Sequence, residues 1–91
     1  MPPLELIDTH CHLDREPLAG SVEAVLARGR AAGVAGCLTV GTTVATSRIS
    51  VELARRFPFV RAAVGIHPNE AETATDEAVA AIEELAATPE V

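Results

Sequence analysis

The feature that most constrains this chain is the alternation of short apolar runs with amphipathic segments along its whole length. The apolar runs predict strands at Leu4–Thr9, Val34–Val40 and Val60–Ile66, and Val91 would begin a fourth strand. Each interval between strand starts is typical of one β-α unit. Strand–helix alternation of this kind predicts a parallel sheet with right-handed crossovers.

The segments between the predicted strands carry helix start and stop signals. Ser21 can cap a first helix, Thr43 or Thr46 a second, and Thr75 a third. Gly33 stands where the first helix needs a left-handed residue to end. The sequence therefore predicts three helices, one after each strand.

Composition agrees with this fold class and excludes several functions. Apolar residues make up 48% of the chain but aromatic residues only 2%, which suits parallel strands covered by Ala-rich helices. So few aromatic residues do not suit a protein that reads single-stranded nucleic acid by base stacking. The net charge is −6, and residues 69–91 contain seven acids and no base, so the chain as a whole is not a basic phosphate-binding surface.

Cysteine usage and the first residues predict a cytoplasmic protein without a membrane segment. Cys11 and Cys37 are isolated from each other in sequence, which predicts neither a disulfide framework nor a thiolate zinc site. The first residues lack the basic and apolar regions of a signal peptide, and no apolar run is long enough to span a membrane.

The strongest chemical motif is DTHCHLD at residues 8–14, at the end of the first predicted strand. Side chains alternate along a strand, so one face would carry Asp8, His10, His12 and Asp14. Two imidazoles in this arrangement can reach one metal ion, and flanking carboxylates can orient them. An H-x-H pattern also occurs among surface and capping histidines, and both interpretations stay open on this motif alone.

A third histidine follows the third predicted strand, in the sequence VGIHPNE at residues 64–70. In a parallel sheet His67 would lie at the same edge as His10 and His12, where β/α barrels place their active sites. The alternative is a histidine that caps a turn. Pro68 disfavours a helical conformation at His67 in either case.

These motifs resemble those of the TatD-type metal-dependent hydrolases. Residues 6–14 (LIDTHCHLD) resemble the opening of that family, and residues 59–68 (FVRAAVGIHP) resemble its second signature. Between them, AAGV at residues 31–34 and GT at residues 41–42 also match. The resemblance covers essentially the whole chain.

The resemblance implies an α/β fold: an amidohydrolase-like TIM-type (β/α)8 barrel, of which residues 1–91 would be the first three β-α units, truncated before strand 4. It implies one or two divalent metal ions (Mg, Mn or Zn) and hydrolysis of DNA phosphodiester bonds, often as a 3′-5′ exonuclease. Some members of the family are proposed to deacylate D-aminoacyl-tRNA. DNA would be the partner, and we expect no membrane contact and no obligate protein partner.

The resemblance also implies roles for individual residues. His10 and His12 match the first two metal ligands, and His67 matches an active-site histidine near the substrate phosphate. Candidates for phosphate contact or for support of the ligands are Asp8, Asp14 and Asn69.

Two departures from the family pattern affect substrate contacts. Many members read His-Pro-His where this chain has HPN at residues 67–69, and the aromatic-containing loop after the first motif is replaced here by REPL at residues 15–18. In the family, a metal-binding Glu lies on the fourth strand and two more His and an Asp lie further on, so the resemblance implies that the ligands completing the site lie beyond residue 91.

Three interpretations follow. The first is the N-terminal part of a TatD-type hydrolase, whose isolated 91 residues we expect to be inactive. The second is a stand-alone small α/β module that binds a metal or a partner without catalysis. The third is another metallohydrolase with an H-x-H opening, against which the GIHP motif at residues 65–68 argues.

Overall fold

Three parallel strands form one sheet in the computed structural model, which describes residues 4–91. The strands are β1 (Leu6–Cys11), β2 (Val34–Val40) and β3 (Val60–Ala63), and they lie side by side in that order. The helices are α1 (Val22–Ala31), α2 (Val44–Arg56) and α3 (Asp76–Ala86). Both strand pairs are parallel, as the alternation predicts.

The strand ends differ from the predicted ones at the first and third strands. The second strand has the predicted bounds, whereas β1 continues through the first histidine to Cys11. Strand β3 ends at Ala63 because the backbone of Gly65 bonds to the Ser47 hydroxyl instead, at 3.1 Å from N and 3.2 Å from O. Val91 lies outside any strand, but the neighbouring Glu90 carbonyl accepts a 2.9 Å hydrogen bond from the Ala62 amide of β3.

The predicted helix signals are largely confirmed. Gly33 has φ +99°, the left-handed conformation that glycine adopts without steric cost. Thr43 and Thr46 act together as a capping box at the start of α2, and Thr75 caps α3 through the Ala78 amide. The prediction for Ser21 is wrong in one respect: its side chain makes no capping hydrogen bond, because a 3-10 helix (Ala19–Ser21) leads directly into α1.

The core lies between the sheet and the helices. Val51 of α2 and Val60 of β3 are each 1% exposed. Thr39 of β2 is fully buried, and its hydroxyl accepts a 3.1 Å hydrogen bond from the Leu13 amide just after β1. This bond, together with burial of the Leu13 side chain in the core, fixes the chain where it leaves β1.

Strand β1 is much less covered than the other two. Its Leu6 and Ile7 side chains are 51% and 61% exposed. No helix within residues 4–91 has the length and apolar character needed to cross a membrane.

Candidate functional site

An open cavity of about 470 Å³ lies at the carboxyl ends of the three strands. Each strand contributes residues at or just beyond its carboxyl end. The lining residues are His10, His12 and Arg15 at the end of β1, Val40, Gly41 and Thr42 at the end of β2, and Gly65, Ile66, His67, Asn69 and Glu70 beyond β3. The structure therefore brings all three histidines to one cavity, at the edge of the sheet that the sequence indicates.

His10 and His12 lie side by side at this edge. Their ring centroids are 5.2 Å apart and the rings are nearly perpendicular, at 78°. The His10 amide donates a 3.0 Å hydrogen bond to the Asp8 carboxylate. A register shift between Asp8 and Cys11 interrupts the simple alternation on which the prediction of one shared face depends. Asp8 therefore acts on the backbone of the motif and is absent from the cavity lining.

The His12 ring is oriented by the backbone of the neighbouring strand. Its Nδ1 lies 2.8 Å from the Val40 carbonyl oxygen of β2. A carbonyl oxygen only accepts hydrogen bonds, so Nδ1 carries a proton, and in the neutral ring Nε2 keeps its lone pair. Metal-binding histidines commonly have one nitrogen engaged in this way, which fixes the tautomer and the orientation of the ring.

The His67 ring has the opposite hydrogen bond. His67 caps a 3-10 helix (Pro68–Thr73), and its Nδ1 accepts a 3.0 Å hydrogen bond from the Asn69 amide. The neutral ring therefore carries its proton on Nε2, which can donate to an oxygen in the cavity. His67 therefore caps a turn and also lines the cavity, so the two predicted roles do not exclude each other.

The turn between β2 and α2 connects both histidines. The Val40 carbonyl orients His12, and the Thr42 carbonyl accepts a 2.8 Å hydrogen bond from the His67 amide. A Cβ atom at Gly41 would collide with the backbone and side chain of Ser47, so only glycine lets α2 approach this closely. The close approach lets Ser47 bond both to N and to O of Gly65.

Arg15 is a cavity residue that the sequence analysis did not place in the site. Its Nη2 donates a 3.3 Å hydrogen bond to the Thr42 hydroxyl, across the gap between the ends of β1 and β2. Thr42 and Glu70 also line the cavity without having been predicted. The available signal for Arg15 was its position, directly after the DTHCHLD motif.

Of the remaining residues that the sequence analysis singled out, only some line the cavity. Asn69 lines it, whereas Asp14 does not, and one Asp14 carboxylate oxygen is buried without a hydrogen-bond partner. Cys11 packs against the core, and its thiol donates to the Leu38 carbonyl at 3.5 Å. The neighbouring Cys37 thiol and burial raise the pKa of the Cys11 thiol, and Cys11 is absent from the cavity lining.

The donor set fits part of a metal site. Within residues 4–91 no group of three or more His, Cys, Asp or Glu side chains is arranged to hold a metal ion. The His12 Nε2 lone pair and the adjacent His10 ring supply two nitrogen ligands, and a catalytic zinc usually takes three protein ligands. The residues present therefore fit two positions of such a site, and a complete site needs further ligands.

Comparison with known families and curated proteins gives consistent results. A model of the family described as TatD related DNase matches residues 7–91. An uncharacterized metal-dependent hydrolase of Mycoplasma genitalium is 40% identical over 68 residues, which cover 74% of this chain and 26% of the relative. The 3′-5′ ssDNA/RNA exonuclease TatD of Musicola paradisiaca is 37% identical over 87 residues, which cover 94% of this chain and 33% of the relative.

A solved structure shows the same arrangement of strands and helices. The crystal structure of YjjV, a TatD homologue from Escherichia coli K12, superposes with a TM-score of 0.82 and 33% identity, over 87% of this chain and 30% of that one. The three β-α units match the N-terminal part of a TIM-type barrel. The chain thus spans about a quarter to a third of the length of the relatives it matches.

Proposed function

The chain belongs to the TatD related DNase family, and from this we propose that it carries part of the active site of a divalent-metal-dependent hydrolase that cleaves phosphodiester bonds of DNA. The observation that supports this most directly is the pair of oppositely hydrogen-bonded histidines, His12 and His67, at one cavity. One presents a lone pair, which suits a cation, and the other presents an N–H, which suits a phosphate oxygen.

In this proposal His10 and His12 are the metal ligands that the described residues supply. The Val40 carbonyl fixes the His12 ring with Nε2 available for the ion. Asp8 stabilises the backbone at His10, and Asp14, which lies outside the cavity lining, remains a candidate for support of the ligands. A bound Mg²⁺, Mn²⁺ or Zn²⁺ would supply Lewis-acid stabilisation of the negative charge on the phosphate.

His67 is the proposed catalytic residue on the substrate side of the cavity. Its Nε2–H would donate to a phosphate oxygen and stabilise the charge that develops on it during hydrolysis. Asn69 supports this role in the proposal, because its backbone amide holds the His67 ring and the residue lines the same cavity.

The substrate class comes from the relatives. One of them is named a 3′-5′ ssDNA/RNA exonuclease, so we propose exonucleolytic cleavage from the 3′ end and include RNA among the test substrates. A D-aminoacyl-tRNA is the alternative substrate, since an ester carbonyl could receive the same hydrogen bond from His67.

We also propose that the 91 residues alone are inactive, because two imidazoles are too few for a catalytic metal site. The test compares this chain with the natural protein that carries it, whose length is measured by intact mass. Both are assayed on labelled single-stranded DNA, duplex DNA, RNA and an aminoacyl ester, with each metal and after chelation.

The expected result is metal-dependent release of nucleotides from the 3′ end by the natural protein, lost on chelation and in His10→Ala, and no turnover by the 91-residue chain. Turnover by the short chain that His10→Ala abolishes would overturn the proposed inactivity. A natural protein of 9.5 kDa that is inactive, monomeric and well ordered would favour a stand-alone binding module.

A further inference from the structure

Arg15 differs from the other arginines of the described residues in its position, not in its lack of an ion pair. Among residues 4–91 it is the arginine that lines the cavity at the strand ends. The ion pairs found within that part of the chain join Arg55 to Glu52 and Glu90, and Arg56 to Glu23. Arg15 takes part in none of them, so its charge faces the cavity without a carboxylate partner.

The backbone places Arg15 beside the histidine motif. The Arg15 amide donates a 3.3 Å hydrogen bond to the His12 carbonyl, and the Arg15 carbonyl accepts a 2.9 Å hydrogen bond from the Ala19 amide. These two bonds close the turn that follows β1. The position of Arg15 is therefore tied to the proposed metal ligand His12.

The guanidinium is anchored at one nitrogen and free at the others. Its Nη2 donates to the Thr42 hydroxyl, and Thr42 is only 9% exposed. Thr42 is held in turn by a 2.8 Å hydrogen bond from its amide to the Thr46 hydroxyl. A guanidinium has five N–H donors in a planar fork, so most of them stay available to a ligand.

We propose that Arg15 is a substrate-binding residue that donates to a phosphate oxygen of the bound strand. The proposal rests on the proposed function and adds a residue outside the family motifs. A planar fork suits the paired oxygens of a phosphate, and an arginine without an ion-pair partner needs no bond broken before it binds one. Glu70, the acid that lines the same cavity, forms no ion pair with Arg15.

The test uses the natural protein that carries this chain and a single-stranded DNA substrate. Arg15→Met should raise KM about tenfold, the size expected for one charge-assisted hydrogen bond, and change kcat by less than about threefold. The KM of Arg15→Lys should lie between those of the wild type and Arg15→Met, because lysine keeps the charge but lacks the planar set of N–H donors. Arg28→Met, an equal charge change on the exposed side of α1, is the matched control and should leave KM unchanged.

A second measurement needs neither metal nor turnover. Fluorescence anisotropy of a labelled oligonucleotide, without added metal, gives the dissociation constant as a function of salt. Loss of one phosphate contact should reduce the slope of log K against log salt by about 0.7 in Arg15→Met and leave it unchanged in Arg28→Met.

The outcomes separate this inference from the function on which it rests. If the wild-type protein hydrolyses DNA but Arg15→Met keeps the KM and salt slope of Arg28→Met, the Arg15 inference is wrong. If the wild-type protein hydrolyses no phosphodiester with any metal, the proposed function fails, and the anisotropy comparison still decides whether Arg15 binds phosphate. Equal unfolding midpoints for the arginine variants would show that the fold is not the cause.

Discussion

His12 and His67 line the same cavity, yet the backbone gives them opposite hydrogen bonds. The Nδ1 of His12 faces a carbonyl oxygen of β2, whereas the Nδ1 of His67 faces the amide of Asn69. The first contact places the proton on Nδ1 and the second places it on Nε2. The two residues thus differ in what they present to a ligand, although they are the same amino acid just after the first and third strands of one sheet.

The backbone partner of each histidine thus constrains which chemistry its ring can perform. His12 can give its Nε2 lone pair to a cation but cannot donate from that atom. His67 can donate from Nε2 but cannot bind a cation there without losing the Asn69 contact or its proton. Of these two residues, His12 therefore offers the cavity a nitrogen for a metal ion and His67 offers it an N–H for an oxyanion.

Replacing His12 is expected to give the largest effect. His12→Ala in the natural protein removes a proposed metal ligand and should lower both bound metal and turnover, the latter by about a thousandfold or more. Bound metal is measured by mass spectrometry after dialysis, and turnover by nucleotide release. Full metal occupancy in His12→Ala would contradict the ligand role.

Replacing His67 should separate turnover from metal content. His67→Ala removes a proposed donor to the phosphate, so turnover should fall by about a hundredfold while bound metal stays at the wild-type level. His67→Gln keeps an N–H donor and should recover part of the loss. Loss of metal in His67→Ala would show that His67 is also a metal ligand. The proposed contrast between a metal-binding His12 and a phosphate-binding His67 would then be wrong.

The backbone origin of the His67 tautomer can be tested at Asn69. Asn69→Pro removes the amide that donates to Nδ1, in the first turn of a 3-10 helix. Asn69→Ala removes the side chain and keeps the amide. Two-dimensional ¹⁵N spectra at about pH 8.5, where an ordinary imidazole is neutral, should show a mixed His67 tautomer in the proline variant only.

His12 serves as the internal reference in those spectra. Its Nδ1–H tautomer depends on the Val40 carbonyl and should be the same in both Asn69 variants. If His67 in Asn69→Pro is still entirely the Nε2–H tautomer, the backbone amide of residue 69 does not determine the tautomer of His67.

Much of the fold could be predicted from the sequence, because its signals are local. The apolar runs, Gly33, and the threonines at the helix starts predict the three β-α units, and the structure confirms their order and pairing. The convergence of the three histidines was predictable too, since parallel strands carry their carboxyl ends to one edge.

What could not be predicted depends on contacts between distant residues. The register shift in β1, the Val40 contact of His12 and the Thr42 contact of Arg15 join residues 26 or more positions apart. The order of apolar and polar residues along one strand does not determine which distant residues it contacts. Likewise, the end of β3 follows from Ser47, whose hydroxyl bonds to Gly65.

The smallest predicted effect concerns the turn that both histidines share. The Thr46 hydroxyl accepts hydrogen bonds from the Thr42 and Thr43 amides, at 2.8 and 2.9 Å, just beyond the carbonyl that orients His12. Thr46→Val keeps the shape and removes this acceptor. It should lower the free energy of unfolding by about 1 kcal/mol, as measured by urea denaturation.

Thr75→Val is the matched control, because Thr75 caps α3 through one amide and lies outside the cavity. Both variants should lose similar stability, but only Thr46→Val should broaden the ¹⁵N signals of His12 and His67, and both rings should respond together. If only one ring responds, the β2–α2 turn does not hold the two histidines as a unit, and each owes its tautomer to its own hydrogen bond alone.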